Sequence, residues 1–395
     1  MILCVAAEAS GDRLLASLLP ELRRALPSET WEGVGGALSV EAGLTSWLDP
    51  RELSAHGLTE ALHVVPATLK ALKLLRANIP RARALLLVDA PELNMRLLKT
   101  AHHHHVPVMY LAPPQAWAWR PWRARALKRA AWVGCLFEFE AQWYRERGVK
   151  ARCVGHPLKA EREPLARALR EAHLNLERPK KLLLCPGSRR SSFQRALPLM
   201  IQASLKAMAQ APERFEPTLT LVLSDWLKAD ERVEALIQEA QSRCERSGAQ
   251  LNIISNRTLF TERALLELSP ALAIAHAGTI TLELALSGVP FVAVAPLSPL
   301  SQWVAANIIQ TQDYSLPNLI LKEQAFMELS PLLKAQEATA TLAVILDEMS
   351  APHVYQDIAR FTRKVNKSVS VLYADEICRE MTALLIKNDV LLTNA

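Results

Sequence analysis

The stretch Leu182-Leu183-Leu184-Cys185-Pro186-Gly187-Ser188-Arg189 decides the fold of the second half of the chain. It begins with a short apolar run, which predicts a buried strand, and continues into a turn and a helical pattern. In a parallel sheet such a turn places free backbone N–H groups and a fixed positive charge at the carboxyl end of the strand. The stretch therefore predicts a site for a phosphate, and preferably for a diphosphate.

A second turn of the same kind is His276-Ala277-Gly278-Thr279, between a strand pattern and a helix pattern. Gly278 permits the close approach of a ligand, whereas Thr279 either binds that ligand or serves as the N-cap of the helix. Glu283 is the only carboxylate, lysine or arginine in residues 269–303, and it is either paired internally or hydrogen-bonded to a ligand such as ribose hydroxyls. Two anion-binding turns in one half of the chain indicate a nucleotide-diphosphate site.

Arg189 is the sharpest candidate in this half, because a guanidinium group can bind two phosphate oxygens at once. The alternative is a surface arginine at a helix start, where the helix dipole disfavours a positive charge, and that mismatch favours anion binding. The sequence contains no Asp-x-Asp motif. We therefore expect a departing diphosphate to be stabilised by Arg189 and helix N-termini, with no metal and no other cofactor.

Length and composition indicate a globular protein of two domains. The chain has 395 residues, of which 50% are hydrophobic and 22% charged, and its net charge of +6 favours anionic partners. The six cysteines form no CxxC pair, which is typical of a reduced, cytosolic protein. Proline and glycine divide the weakly charged residues 269–303 into short pieces, so we expect a buried strand–helix–strand unit and no membrane span.

Apolar strand-like runs alternate with helical patterns along most of the chain, which predicts parallel sheets covered on both faces. We predict an α/β fold with two doubly wound, Rossmann-like domains that face each other across a cleft. The predicted parts are an N-terminal domain at 1–158, a linker at 159–180, a second domain at 181–350, and C-terminal helices at 351–395 that pack back or onto a partner subunit. The predicted strands are 2–6, 84–88, 106–111, 133–137, 181–185, 218–223, 251–254, 271–275 and 291–295.

Carboxylates follow two predicted strands of the first domain. Glu8 comes directly after the first strand, and Ser10 or Asp12 is in position to cap the helix that follows. Such a cap does not account for Glu8. Asp89 follows the strand at 84–88 and either removes a proton from a hydroxyl nucleophile or serves as a turn carboxylate ahead of Pro91.

Residues 64–79 form an amphipathic helical pattern with an apolar face and a basic face. This pattern fits a helix lying in a membrane interface, and it fits an ordinary core-facing helix equally well. The apolar face contains Val65, Leu69, Leu72, Leu75 and Ile79, and the basic face contains Lys70, Lys73 and Arg76.

Three further segments carry weaker signals. Residues 117–129 interleave tryptophan with arginine and lysine, which suits RNA, an anionic lipid face, a sugar-phosphate pocket or a solvated helix face. The run from His102 to His105 predicts a polar loop, because adjacent side chains do not converge on one tetrahedral metal centre. The glycines of residues 33–36 lack the GxGxxG spacing and predict a tight turn.

Taken together, these motifs resemble the lipid-A-disaccharide synthase family, inverting glycosyltransferases of the two-domain GT-B type. The resemblance runs from about residue 2 to the C-terminal helices, and eight motifs in the family's order make it specific. They are Glu8-Ala9-Ser10-Gly11-Asp12, Gly33-Val34-Gly35-Gly36, Asp89-Ala90-Pro91 with Asn94, Trp117-Ala118-Trp119-Arg120, Val154-Gly155-His156-Pro157, Pro186-Gly187-Ser188-Arg189, Gly278-Thr279 with Leu282-Glu283, and Ser315-Leu316-Pro317-Asn318.

The resemblance implies a hexosyltransferase of lipid A biosynthesis that joins UDP-2,3-diacylglucosamine to 2,3-diacylglucosamine 1-phosphate and releases UDP. Asp89 matches the base for the acceptor 6-hydroxyl, and Glu8 matches a second active-site residue. The positions that match the UDP-sugar site are Gly187, Ser188, Arg189, Gly278, Thr279, Glu283 and Asn318.

The resemblance also implies a peripheral protein on the cytoplasmic side of the inner membrane. We further predict a homodimer, since the C-terminal helices can pack onto a second subunit, and no nucleic-acid partner. The segment at 64–79 matches a patch that meets the anionic membrane surface, so its predicted membrane-facing side chains are Val65, Leu69, Leu72 and Leu75.

The chain departs from the family at Ser192, where an acidic residue is usual, and at Glu92, which replaces an aspartate. These departures spare Glu8, Asp89 and Arg189, so we expect an active enzyme. Two other functions fit the same residues. One is an isomerase like UDP-N-acetylglucosamine 2-epimerase, which shares the architecture, and the other is a non-catalytic RNA-binding module that uses residues 117–129.

Overall fold

The computed structural model describes residues 1–53, 58–118, 120–172, 175–228, 230–297 and 313–393. The chain divides into two compact units. The first consists of Met1–Pro157 with Ser370–Ala395, and the second of Leu158–Val369.

The first unit is a seven-stranded parallel sheet in the order β3-β2-β1-β4-β5-β6-β7, with helices on both faces. Its strands are β1 Ile2–Val5, β2 Trp31–Val34, β3 Thr45–Leu48, β4 Ala84–Val88, β5 Val108–Leu111, β6 Trp132–Cys135 and β7 Ala151–Cys153. Its helices are α1 Ala9–Ala25, α2 Ala37–Glu41, α3 Leu58–Asn78, α4 Pro91–Asn94, α5 Leu98–His103, α6 Arg123–Leu127 and α7 Glu138–Arg145, with 3₁₀ turns at Pro50–Leu53 and Ile79–Arg81.

The second unit is a six-stranded parallel sheet in the order β10-β9-β8-β11-β12-β13. Its strands are β8 Lys180–Cys185, β9 Phe215–Leu223, β10 Gln250–Ser255, β11 Ala271–His276, β12 Phe291–Val294 and β13 Met327–Glu328. Its helices are α8 Leu158–Glu171, α9 Arg190–Gln210, α10 Glu231–Arg246, α11 Asn256–Leu259, α12 Glu262–Leu268, α13 Thr279–Ser287, α14 Leu316–Leu321, α15 Ala335–Met349 and α16 Pro352–Ser368, with a 3₁₀ turn at Asp225–Leu227. The last helix of the chain, α17 Ala374–Thr393, belongs to the first unit.

Each sheet has one point at which the strand order reverses. In the first sheet β1 pairs with β2 on one side and with β4 on the other. In the second sheet β8 pairs with β9 on one side and with β11 on the other. Ligands of open parallel sheets bind beyond the carboxyl ends of the strands at these reversals, so each unit has one place to look for a site.

Helices near the predicted domain boundaries belong to other units than those boundaries assign them to. Helix α8, in the segment predicted as a linker, belongs to the second unit and packs against α13 and α16. The predicted C-terminal block at 351–395 is divided, because α16 belongs to the second unit, whereas α17 packs against α1 in the first. The physical reason is burial: Leu165 of α8 is buried in the second unit, whereas Ile377 of α17 belongs to a core cluster of the first.

Gly155 lies where the last helix returns to the first unit. Its φ is +75°, and a Cβ atom at this position would lie 1.9 Å from the carbonyl oxygen of Val371. Two backbone hydrogen bonds join these segments, from His156 N to Ser370 O at 3.0 Å and from Tyr373 N to Val154 O at 2.8 Å. The Val154-Gly155-His156-Pro157 motif is therefore explained by close backbone packing, which only glycine permits at residue 155.

Candidate active site

The first unit brings Glu8 and Asp89 to the same edge of its sheet. Glu8 lies between β1 and α1, and Asp89 directly follows β4. These two strands are neighbours, with Val5 opposite Leu87, so both half-buried carboxylates lie at the reversal of the strand order. Sequence reasoning placed each residue after a strand, and the sheet order adds that these strands are adjacent.

The backbone at Asp89 is held in an unusual conformation. Asp89 has φ = 52° and the next residue, Ala90, has φ = 43°. Left-handed backbone at a residue with a side chain costs about 1–2 kcal/mol, so other contacts must stabilise the turn. The Asn94 amide donates hydrogen bonds to the carbonyl oxygens of Asp89 (2.9 Å) and Val88 (3.2 Å), and the Tyr110 hydroxyl donates to Asp89 O at 2.8 Å.

The predicted capping of α1 by Ser10 or Asp12 is wrong. Glu8 is the N-cap residue, and no side chain caps this helix. The Ser10 hydroxyl donates a hydrogen bond to the Asp89 carboxylate instead. The Asp12 carboxylate, 1% exposed, accepts hydrogen bonds from the backbone N–H groups of Ser39 (3.0 Å) and Leu38 (3.3 Å) at the start of α2.

Glu140 is a candidate that reasoning from the strand ends did not single out. It lies in α7, is 5% exposed, and its Oε1 accepts a hydrogen bond from Trp117 Nε1 at 3.1 Å. Burial raises the pKa of Glu140 from 4.5 to about 7, and the nearby charge of Asp89 also raises it, against the lowering effect of the Trp117 hydrogen bond. Glu140 follows no strand directly, so the positions after predicted strands do not indicate it.

The segment after Trp117 is tied to the turn that holds Asp89. Arg120 and Arg123 both contact Oε1 of Glu92, at 3.2 Å and 2.5 Å. The predicted basic surface therefore includes two arginines that are ion-paired to a carboxylate. Trp119 lies outside the described residues.

The second unit brings its two anion-binding turns together in the same way. Residues 187–189 lie between β8 and α9, and Gly278 is the N-cap residue of α13 after β11. The two strands are neighbours, with Ala275 opposite Cys185, so two helix N-termini lie at one sheet edge. Helix N-termini favour anions, and two of them at one edge favour a diphosphate.

Contacts between the turns fix this site. Gly187 has φ = +100°, and a Cβ atom there would lie 3.5 Å from Cγ of His276. Burial lowers the pKa of His276 to about 4, with smaller contributions from the charges of Arg195 and Arg189. The ring of His276 is therefore neutral at pH 7, and both guanidinium groups lie near enough to act on it. Gly278, and not Thr279, occupies the N-cap position.

Glu283 has partners inside its unit. It is 2% exposed, its Oε1 lies 3.1 Å from Nη2 of Arg162, and Asn256 donates to its Oε2 at 3.4 Å. The guanidinium of Arg162 also lies 4.3 Å from the ring centre of Phe260. Of the two alternatives drawn from the sequence, internal pairing is the one that the geometry favours.

Asn318 is fully buried and its side-chain amide is saturated. It donates to Phe326 O (2.8 Å) and Glu328 Oε1 (2.7 Å) and accepts from the N–H groups of Ala325 (3.0 Å) and Phe326 (2.9 Å). An asparagine side chain can make four such bonds, so the amide has no capacity left for a ligand. Asn318 therefore positions the segment that follows α14.

The burial of side chains in helix α3 contradicts part of the prediction of membrane-facing residues. Leu72 and Leu75 are 3% and 0% exposed and belong to the core of the first unit, so the prediction that they face a membrane is wrong. Their stripe is the core-facing side of an amphipathic helix. Leu69 is 56% exposed, and the side chain of Val65 lies outside the described residues. No helix in the described part of the chain has the length and hydropathy to cross a membrane.

The histidine run at residues 102–105 is exposed to solvent, as expected for a polar segment. The helix α5 ends at His103, and the side chains of residues 102–105 are exposed. Across the described ranges, no group of three or more histidine, cysteine, aspartate or glutamate side chains is arranged to hold a metal ion.

Comparison with known proteins points to one family. A family model described as lipid-A-disaccharide synthetase matches residues 2–372. A lipid-A-disaccharide synthase of Myxococcus xanthus is 36% identical over 335 residues, covering 83% of this chain and 83% of that protein. A lipid-A-disaccharide synthase of Geobacter sulfurreducens is 29% identical over 368 residues, covering 91% of this chain and 87% of that protein.

Similar solved structures confirm the predicted α/β fold with two Rossmann-like domains of the GT-B type. A UDP-GlcNAc 2-epimerase from Neisseria meningitidis, bound to UDP-GlcNAc, is similar with a TM-score of 0.57, 13% identity and 98% coverage of both chains. An alpha,alpha-trehalose 6-phosphate synthase from Burkholderia multivorans is similar with a TM-score of 0.56, 13% identity, and 100% and 99% coverage. At these identities the likeness concerns the fold alone.

Proposed function

Because the chain belongs to the lipid-A-disaccharide synthase family of glycosyltransferases, we propose that it condenses UDP-2,3-diacylglucosamine with 2,3-diacylglucosamine 1-phosphate. The products are a β-1,6-linked disaccharide 1-phosphate and UDP. The observation that carries the assignment of residues is the strained Asp89, held by buried side chains beside Glu8 at the strand reversal of the first unit.

Asp89 acts as the general base. Its carboxylate accepts the proton of the acceptor 6-hydroxyl while that oxygen forms a bond to the anomeric carbon of the donor. The bond between the anomeric carbon and the diphosphate oxygen breaks, and UDP leaves with the electron pair. The proton stays on Asp89 until it passes to solvent. Glu8 lies at the same sheet edge and completes the polar wall of this site.

Arg189 and the two helix N-termini of the second unit stabilise the departing UDP. The backbone of Gly187, Ser188, Gly278 and Thr279 supplies N–H groups, and the guanidinium of Arg189 neutralises charge that develops on the diphosphate. This arrangement needs no metal ion. Glu283 and Asn318, both buried and hydrogen-bonded internally, hold the surrounding segments in position.

The decisive experiment replaces Asp89 by asparagine, which keeps the shape and removes the base. We expect kcat to fall by about 10²- to 10⁴-fold, while UDP binding measured by calorimetry stays unchanged. Asp49→Asn is the matched control, because Asp49 pairs with Arg51 and not with the site. Full turnover by a folded Asp89→Asn enzyme would exclude Asp89 as the base.

Arg189→Ala tests the donor half separately. We expect weaker UDP binding with an unchanged fold, because the side chain of Arg189 is exposed at the start of α9. A mass-spectrometric assay with both acylated substrates in detergent then measures the disaccharide directly. The isomerase alternative has support from the fold alone, and the enzyme should leave UDP-N-acetylglucosamine unchanged when no acceptor is present.

We also propose that the exposed face of α3 meets an anionic membrane surface. Leu69 is exposed beside the exposed cations Lys70, Lys73 and Arg76. An apolar side chain among cations suits the boundary between headgroups and acyl chains, where the lipid substrates lie. This supports a peripheral position on the cytoplasmic side of the inner membrane. The homodimer stays a prediction, which light scattering of the purified chain tests.

A further inference from the structure

Two arginines converge on one carboxylate beside the proposed base. Glu92 lies three residues after Asp89, and its Oε1 contacts Nη1 of Arg120 at 3.2 Å and Nη2 of Arg123 at 2.5 Å. Two guanidinium groups therefore share one carboxylate oxygen in the turn that positions Asp89.

The chain holds these arginines in a constrained segment. Arg120 has φ = 57°, and Ala112, at the end of β5, has φ = 49°. With Asp89 and Ala90, these are four of the six described non-glycine residues with positive φ, and all four follow the adjacent strands β4 and β5. Such strain persists only where surrounding contacts impose it, and it is concentrated at functional sites.

The three side chains of the cluster differ in their exposure to solvent. The Arg123 side chain is 12% exposed at the start of α6, whereas those of Arg120 and Glu92 are 38% and 64% exposed. Arg123 is therefore held in place, while Glu92 can turn towards solvent. The ion pair between Arg120 and Glu92, in which both side chains are exposed, contributes only about 0–1 kcal/mol, so exchanging this carboxylate for another anion at Arg120 costs little.

We propose that Arg120 and Arg123 form a clamp for the phosphate monoester of the acceptor sugar, an inference that rests on the proposed function. A phosphate monoester carries nearly two negative charges and three acceptor oxygens, so two guanidinium groups bind it more strongly than they bind one carboxylate. On binding, the phosphate displaces Glu92 or shares the arginines with it.

The position of the clamp fits the acceptor. The reacting 6-hydroxyl is on C6, attached to C5, and the phosphate is on C1, so the two groups belong to the two ring carbons that flank the ring oxygen. Three residues of chain span at most about 10 Å, so the Cα atoms of Asp89 and Glu92 are no farther apart than a sugar phosphate and two side chains can bridge. A membrane headgroup would need cations on an open face, and the nearly buried Arg123 favours a single substrate phosphate instead.

The test compares two acceptors that differ only in the phosphate. Each enzyme is assayed with 2,3-diacylglucosamine 1-phosphate and with 2,3-diacylglucosamine. The enzymes are wild type, Arg120→Gln, Arg123→Gln and the control Arg125→Gln. Arg125 is an exposed arginine of the helix that contains Arg123. We expect Arg120→Gln and Arg123→Gln to raise the KM for the phosphorylated acceptor about 10- to 100-fold, which corresponds to about 1.4–2.8 kcal/mol. The KM for the donor should not change, and Arg125→Gln should match wild type.

Binding measured by calorimetry keeps the proposal testable if turnover fails. Wild type should bind the phosphorylated acceptor at least about tenfold more tightly than the phosphate-free lipid, and Arg123→Gln should remove this preference. A wild type that binds both substrates without turnover contradicts the proposed function but leaves the clamp supported.

Three results overturn the clamp. The first is an equal loss with both acceptors, which would make the arginines structural. The second is a wild type that binds both lipids equally, whatever the variants do. The third is a loss of binding to phosphatidylglycerol vesicles by variants that retain the preference for the phosphorylated acceptor, in which case the arginines bind a membrane headgroup instead. Glu92→Gln, which removes the competing carboxylate, should lower the KM for the phosphorylated acceptor or leave it unchanged.

Discussion

Ser10 and Asp89, separated by 79 residues in sequence, are joined by a hydrogen bond from the Ser10 hydroxyl to Oδ2 of Asp89. The bond links the first turn of α1 to the turn after β4, the two segments at the strand reversal of the first unit. It restrains the orientation of the Asp89 carboxylate. Ser10 is therefore a positioning residue for the proposed base.

Ser10→Ala should lower kcat about tenfold, because one hydrogen bond to a charged group contributes about 1.5 kcal/mol. The KM for the donor should not change. Ser10→Thr, which keeps the hydroxyl, is the control and should retain most of the activity. Steady-state kinetics with both acylated substrates measures the effect, and equal rates for the serine and alanine enzymes would show that the bond does not orient the base.

The raised pKa of Glu140 should lower the free energy of unfolding of the protein as the pH rises. Its pKa is 4.5 in the unfolded chain and about 7 in the folded protein, because burial disfavours the charged form. Between these values the folded state binds more protons than the unfolded state, so the free energy of unfolding decreases with pH, by as much as about 3 kcal/mol in total. Below pH 4.5 this contribution is fully present, and it is lost as the pH rises through 7.

Glu140→Gln keeps the acceptor oxygen for Trp117 and removes the titration. The difference in the free energy of unfolding between the variant and wild type should therefore change across pH 4.5 to 7, as measured by urea denaturation at several pH values. Glu138→Gln, at an exposed position of the same helix, is the matched control. Parallel pH profiles for wild type and Glu140→Gln would show that Glu140 is ionised in the folded protein throughout.

The sequence correctly predicted the strands that are formed by apolar stretches of the chain. All nine predicted strands are present, because each predicted stretch is rich in apolar residues. Four strands were missed. Strand β3 is partly exposed at a sheet edge, β13 has two residues, β7 has three, and β2 is interrupted by a glutamate and a glycine.

The same limit applies to the site. Asp89 and Arg189 were singled out as candidates because each comes after a buried strand, a position that sequence periodicity predicts. Glu140 and the Glu92 cluster were not placed, because their roles depend on contacts between segments distant in sequence. Leu72 and Leu75 were placed on the wrong surface, since one apolar helical stripe fits a core as well as a membrane.

The buried pair of Arg162 and Glu283 should make a large contribution to the stability of the second unit when one partner is removed. Their side chains are 7% and 3% exposed, so an unpaired charge there would cost about 3–5 kcal/mol. Arg162→Met and Glu283→Leu should each destabilise the protein by this order in urea denaturation. The double variant should be less destabilised than either single variant, since no charge is left unpaired.

The double variant also separates two roles of Glu283. If Glu283 only positions α13, a folded Arg162→Met/Glu283→Leu protein should bind UDP with near wild-type affinity. A folded double variant that loses UDP binding would instead place Glu283 in direct contact with the nucleotide. Calorimetry with UDP gives this answer independently of turnover.

Leu69 and Leu75 of α3 should respond to substitution in opposite ways, because only Leu69 is exposed. Leu75→Ala removes a core side chain and should lower the free energy of unfolding by about 2–5 kcal/mol. Leu69→Ser should change stability by less than about 0.5 kcal/mol and should weaken binding to phosphatidylglycerol vesicles in a flotation assay. Vesicle binding that is unaffected by Leu69→Ser and by neutralising Lys70 and Lys73 would show that this face of α3 does not meet the membrane.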